Sequence, residues 1–317
     1  MVKRNLGNTG IQVSEIAFGG VEIGLPYGIG VKDKRDMLSE EDAIRLLHLA
    51  VDKGFNFFDT ARMYGESERI MGKAFKHRRA EVVLSSKCRH FRTAGGTLPP
   101  DDTIKKLIRQ SIEESLSTLQ THYLDVYMLH QADMEILDRG VIAEQMQKLR
   151  EEGKVKAIGV STYRVEESQK AIDQGIWNTI QLPFNLLDQR QEIVFEQAEK
   201  KGIGIVIRSV LLKGLLSSRG VGLHPALSAV EEHIRKYQSI LHNNESLPET
   251  AVRFALSYPQ VSSVLIGIDK ESYLTESLKA ANGQYMNGEE LEAAKLLRYP
   301  EPAFLDLPYW DKMGWLR

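Results

Sequence analysis

The chain has 317 residues, a formal net charge of −2 and one cysteine, Cys88. That balance favours neither nucleic acid nor an anionic membrane as a partner, and a single cysteine excludes an internal disulfide framework and fits a reducing, cytoplasmic setting. Residues 1–5 lack the apolar stretch of a signal peptide, and no apolar run approaches the ~18 residues of a membrane span, so a soluble globular protein is expected.

In chain order, short apolar runs recur at 16–18, 55–58, 82–84, 126–129, 155–160, 179–182, 203–207 and 261–266. They are mostly β-branched or aromatic, as strands buried on both faces should be. Charged segments with helical spacing lie between them. Ser39 before Glu40, Glu41 and Asp42 predicts an N-cap with acids in the first turn. Ile44, Leu47 and Val51 then share a face, and Gly54 ends the pattern. Over 101–119, Ile104, Leu107, Ile108, Ile112 and Leu116 form one stripe. Lys53-Gly54, Glu152-Gly153, Gln174-Gly175 and Lys201-Gly202 each close a helical segment before a strand. A glycine there can take the left-handed conformation that stops a helix.

Eight such units predict an α/β fold, either a closed barrel or an open doubly wound sheet. No Gly-x-Gly-x-x-Gly follows the first strand, which weakens the open sheet. The reading is a (β/α)8 TIM barrel formed by 1–317 as a single domain. Two stretches fall outside the repeat. Residues 22–37 contain three glycines, and 300–317 contain two tryptophans and three prolines. Either they are a surface loop and a packed tail, or they wall a substrate pocket over the C-terminal face. Tyr27, Tyr309, Trp310 and Trp315 are the aromatic candidates for such a wall.

In a barrel of this kind, the C-terminal strand ends face the active site. Three successive strands end in Asp59, Lys87 and His130. Alone, each has a plain structural reading: a helix cap, a solvated strand end, a satisfied core histidine. Together, in register at consecutive strand ends, they point to chemistry.

Asp59-Thr60-Ala61-Arg62-Met63-Tyr64-Gly65 resembles the Asp-Thr-Ala-x-x-Tyr-Gly signature of the aldo-keto reductases, and Lys87 and His130 fall where that family keeps its other two catalytic residues. The likeness runs through most of the chain. Gly159-Val160-Ser161 resembles the segment after the family's fifth strand, and Gln181 its cofactor-amide contact. Leu211-Leu212-Lys213-Gly214 resembles the loop over the cofactor pyrophosphate, and 267–277 the adenosine end. The resemblance implies an oxidoreductase that moves a hydride between a nicotinamide cofactor and an aldehyde, ketone or sugar carbonyl or alcohol. It implies NADP as cofactor, with NAD usable. The implied cofactor contacts are Gly20, Ser161, Thr162, Gln181, Arg208, Ser209, Leu211, Gly214, Gly267, Asp269, Lys270, Tyr273, Glu276 and Ser277.

The chemistry explains these residue types. Hydride arriving at a carbonyl carbon leaves negative charge on oxygen, which must be protonated. Tyr64 is the candidate acid, and the base in the oxidative direction. A free phenol has a pKa near ~10, which a cation at Lys87 would lower. Asp59 would hold Lys87 by a charge-assisted hydrogen bond, and His130 would donate to the substrate oxygen. No metal is expected, since the remaining histidines lack ligand spacing. Cys88 reads as a small apolar filler.

Three positions depart from the family pattern. Arg208-Ser209-Val210-Leu211 stands where Tyr-Ser-Pro-Leu is common, so an arginine replaces the ring that stacks on nicotinamide. Thr162 replaces an asparagine. Asp269 stands near where a basic residue meets the 2′-phosphate of NADP. A second reading is a cofactor-binding regulatory subunit on the same scaffold, similar to the cytoplasmic subunits of potassium channels. Cofactor oxidation by a carbonyl panel separates the two. A barrel of other chemistry, such as a phosphosugar isomerase, is the third. The particular substrate and the oligomeric state are not written in these residues.

Overall fold

The computed structural model describes residues 1–241 and 245–316. A short antiparallel hairpin comes first, β1 (Lys3–Asn5) and β2 (Gln12–Ser14). Eight parallel strands follow: β3 (Ile16–Gly19), β4 (Phe57–Asp59), β5 (Val83–Lys87), β6 (Leu124–Leu129), β7 (Val155–Ser161), β8 (Thr179–Pro183), β9 (Gly204–Arg208) and β10 (Val261–Gly267). They close in chain order into a barrel, with β10 returning to pair with β3. Helices such as Glu40–Asp52, Asp101–Thr118 and Gly140–Glu151 lie between successive strands. This is the (β/α)8 barrel that the repeat predicts.

The punctuation has its expected cause. Ser39 caps the helix Glu40–Asp52 by accepting from the Asp42 amide, a contact of about 1 kcal/mol. The stop at Gly175 is left-handed, with φ 67°. The buried face of Glu40–Asp52 is Ala43, Leu46, Leu47 and Ala50, while Ile44 and Val51 lie at its margin. Alanines weigh little in a hydrophobic pattern, yet their small volume lets a helix sit close on the barrel.

The C-terminal strand ends differ from the ends of the apolar runs in one direction. β4, β5, β7, β9 and β10 each run one to three residues past their predicted ends and take in Asp59, Lys87, Ser161, Arg208 and Gly267. Ladder hydrogen bonds continue where the side chains have already turned polar, because those positions face the mouth and not the core. The hairpin was not anticipated from sequence, its strands being three residues each and polar. It closes the opposite end of the barrel. Leu6 and Val13 pack into the interior cluster with Ala17, Phe57, Val126, Met128, Ala157 and Val206. Arg4 donates to the carbonyls of Leu256, Tyr258 and Val261.

The two irregular stretches have different fates. Residues 22–37 fold back over the mouth, where the Ile29 amide donates to the Lys213 carbonyl at 2.9 Å. The tail packs. Trp310 is 0% exposed, its ring 5.5 Å from that of Phe304, and Trp315 stacks on His224.

Candidate active site

A cavity of about 450 Å³ opens at the C-terminal mouth of the barrel. Gly19 and Asp59 reach it from the ends of β3 and β4, Ser161 and Gln181 from β7 and β8, and Arg208 and Gly267 from β9 and β10. Its far end is walled by Asp269, Tyr273, Glu276 and Ser277, around the helix Glu271–Ala280.

Tyr64 is placed by a tight turn after β4. Its amide donates to the Ala61 carbonyl, and its own carbonyl accepts from Ser67. Gly24 packs against that carbonyl so closely that a Cβ would lie 1.9 Å from the oxygen, so the turn requires glycine at this position. Lys87 is fully buried beneath the Tyr64 ring, with Nζ 4.8 Å from the centroid. It ion-pairs with Asp59 and donates to the Thr60 carbonyl at 3.0 Å. The other Asp59 oxygen accepts from Ser85 Oγ and, at 3.1 Å, from Gln181 Nε2. The His130 ring stands edge-on to Tyr64, with centroids 5.3 Å apart. His90 packs on its other side at 4.8 Å.

Burial dominates the electrostatics. It raises the Tyr64 phenol above its ordinary value, Asp59 adds to the rise, and Arg208 opposes it. Lys87, from which the sequence reading expects a lowering, is paired with Asp59. Burial also pulls the Lys87 ammonium down, with Asp59 opposing. His130 is pushed down to about 2 by burial, Lys87 and His90, so it is a neutral imidazole. The mouth therefore holds a protonated phenol, a neutral imidazole and a compensated ion pair. Such a set can deliver a proton to an oxygen and donate a hydrogen bond to it. The Cys88 thiol is buried and pushed up to about 12, which leaves it a packing residue.

Fifteen of the eighteen residues singled out from sequence line this cavity, and Lys87, Thr162 and Lys270 do not. Lys87 lies beneath the Tyr64 ring. Thr162 is 0% exposed and its hydroxyl is shared with Ser168. Lys270 is exposed and lies 5.7 Å from the Tyr273 ring centroid. Of the aromatic candidates, only Tyr27 reaches the cavity.

Sequence reasoning missed Glu22, Tyr163 and Arg219, all of which line the cavity. Glu22 Oε2 is buried without a hydrogen-bond partner, and its carboxyl lies where a side chain on Gly267 would be. Burial pushes it up to about 8, with nearby Asp269 adding. Arg219 lies 3.8 Å from Asp269 and 5.9 Å from the Tyr273 ring. Tyr163 carries the Arg208 guanidinium over its ring at 4.1 Å. All three sit in irregular segments or just past a strand, where no period marks them. Among the described residues, no cluster of three or more His, Cys, Asp or Glu is placed to hold a metal ion. No helix there is long and apolar enough to cross a membrane.

A closed (β/α)8 barrel with tyrosine, lysine, aspartate and histidine gathered at its C-terminal mouth defines a class of oxidoreductase. The model of the aldo/keto reductase family matches residues 15–294, and the chain belongs to that family. It is 28% identical over 294 residues to L-galactose dehydrogenase of Arabidopsis thaliana, covering 87% of each chain. It is 29% identical to aldo-keto reductase YhdN of Bacillus subtilis, covering 90% of each. The holo form of aldo-keto reductase AKR11C1 from Bacillus halodurans superposes with a TM-score of 0.78 at 26% identity, covering 94% of this chain and 96% of that one.

Proposed function

We propose that this chain, acting as one domain over 1–317, reduces an aldehyde, ketone or sugar carbonyl, or oxidises the corresponding alcohol, with NADP and less readily NAD. The observation that carries the reading is Tyr64 and His130 side by side at the cavity wall, with Lys87 under the Tyr64 ring. Tyr64 holds the proton that the new alkoxide takes, and neutral His130 donates to the same oxygen. Lys87 and Asp59 set the position and polarity of the phenol.

The lining of the cavity supports a dinucleotide cofactor. It runs from Tyr64 to the helix Glu271–Ala280, whose N-terminus carries no side-chain cap and so offers amides to an anion. His130 Nδ1, Arg208 Nε and Glu22 Oε2 are buried polar atoms on its wall without a hydrogen-bond partner. The cofactor, when bound, supplies or accepts the hydride. Ser161 and Gln181 would orient its amide, with Gln181 exchanging its bond to Asp59. Gly20, Ser209, Leu211 and Gly214 would lie along its length. Asp269, Tyr273, Glu276 and Ser277 would hold its adenosine end, and Arg219 supplies a cation there. The named activity of the plant relative supports sugars as one substrate class.

The test is a panel of aldehydes, ketones and aldoses assayed with both reduced cofactors on wild type and Tyr64→Phe. The variant keeps the ring and loses the transferable proton. Turnover is expected to fall at least ~10²-fold, the low end for general acid catalysis, with cofactor affinity little changed. Near-normal turnover in the variant would remove Tyr64 from the role. Turnover of no carbonyl with either cofactor would remove the enzyme reading.

A further inference from the structure

Arg208 is a cation at the catalytic end of the cavity with no acid paired to it among the described residues. It ends β9 and reaches across β8 to the segment after β7. There it donates to the Thr162 carbonyl at 2.7 Å and to Ser209 Oγ at 3.3 Å. Its plane lies on the Tyr163 ring at 4.1 Å. These contacts hold the guanidinium in one place. None of them is with a carboxylate, and among the described residues no acid lies within ion-pairing distance of it. Nε is buried and has no acceptor.

The surrounding charges do not cancel it. Asp59 is paired with Lys87, so that couple adds no net charge. His130 is neutral, and Tyr64 and Tyr27 keep their protons. Glu22 is near enough to act on Tyr64 and Tyr27, but burial raises its carboxyl to about 8 and keeps it protonated at neutral pH; Asp269 lies beside Arg219. Arg208 is therefore the cation at the catalytic end that has no acid paired to it among the described residues, in a partly desolvated wall where screening by salt is weak.

We propose that Arg208 makes this site select its cofactor by oxidation state, binding the reduced nicotinamide, whose ring is neutral, more tightly than the oxidised one, whose ring is a cation. The inference rests on the nicotinamide reading above. It follows from where hydride transfer must occur. The ring has to lie in van der Waals reach of the carbonyl held by Tyr64 and His130, and Arg208 lines that same cavity end. A positive charge on the ring is then repelled by Arg208, and a neutral ring is not. By linkage, the enzyme-bound couple is displaced toward the reduced form by the same factor, so alcohol oxidation is favoured on the enzyme more than in solution.

The test measures dissociation constants of the full chain for reduced and oxidised cofactor in one buffer, by fluorescence titration and calorimetry. Wild type is expected to bind the reduced form roughly tenfold more tightly, the effect of one pKa unit of differential charge interaction. Arg208→Met keeps an apolar chain on the Tyr163 ring and removes the charge. It should bring the ratio of the two constants close to one. Arg208→Lys keeps the charge and should retain most of the ratio. Equal affinities in wild type would overturn the proposal without any variant. A change in both constants by the same factor in Arg208→Met would also overturn it, and would leave Arg208 as a simple packing or phosphate contact. Binding of neither form to wild type would sink the nicotinamide reading itself, a result that the other outcomes do not resemble.

Discussion

Lys87 is fully buried and its charge is paired with Asp59, so the two residues have meaning only as a pair. A buried ion pair that loses one member leaves an uncompensated charge, which costs several kcal/mol. Effects of groups acting as a unit are not additive. Asp59→Asn combined with Lys87→Met should therefore be little worse in turnover than Lys87→Met alone. Multiplicative losses in single-turnover assays would show that the two act independently.

Glu22 poses a different problem at the same scale. Its carboxyl is pushed up to about 8 by burial, from an ordinary value of 4.5. Below pH 4.5 it is protonated both folded and unfolded, and folding is not penalised. As pH rises from 4.5 toward 8, the unfolded chain releases the proton while the folded chain retains it, so wild-type stability falls across this window and levels off above it. Glu22→Gln has no proton to lose. Its stability advantage over wild type should be smallest near pH 5 and largest near pH 8, where it reaches a few kcal/mol at most and shows as a higher thermal midpoint. A pH-independent difference would mean that the carboxyl is hydrated in solution.

At the scale of elements, the C-terminal segment works through packing. The helix Leu307–Lys312 starts on a cap from Asp306 and buries Trp310 completely against Phe304. None of Tyr309, Trp310 and Trp315 lines the cavity. Trp310→Ala should cost about 3–5 kcal/mol of stability, the usual price of an emptied aromatic site, read as a lower midpoint in urea. Substrate ranking and cofactor dissociation constants should stay as in wild type. A changed ranking in a stable variant would return the tail to the substrate pocket. The loop that does face the site, 22–37, is joined instead to the segment after β9, where Ser209, Leu212 and Lys213 all have positive φ, at 58°, 48° and 57°. That backbone is strained for residues with side chains, and it brings Lys213 to 4.8 Å from the Tyr27 ring centroid.

Across the whole molecule, the proposed discrimination between NADP and NAD would depend on residues far apart in the chain. From 267–277 alone, one lysine beside two acids predicts a weak phosphate site. The fold adds Arg219, fifty residues upstream of Asp269 and 3.8 Å from it. Asp269 neutralises part of that charge, so a preference for NADP below ~100-fold is still expected; a single charged hydrogen bond contributes only about 1.5–3 kcal/mol. Arg219→Gln should weaken NADP roughly tenfold and leave NAD almost unaffected. Equal loss for both cofactors would place Arg219 on a group that they share.

Periodicity and punctuation in the sequence determined the eight strand–helix units, their order and the barrel, because each unit is set by neighbours within a few residues. Asp59, Lys87 and His130 were legible for the same reason: each stands at the end of a strand, and a closed parallel barrel brings all such ends to one face. The placement of Tyr64 followed from a short motif joined to one of those ends. Only the tertiary structure decided that Arg208 lies on Tyr163 without an acid, that Glu22 fills the space beside Gly267, and that Arg219 meets Asp269. It alone separated Tyr27, at the cavity, from Trp310, in the core. These residues sit in loops and tails, where no repeat relates position in the chain to direction in space. A loop side chain takes its environment from whatever the packed barrel brings beside it, and that neighbour is tens or hundreds of residues away in the sequence.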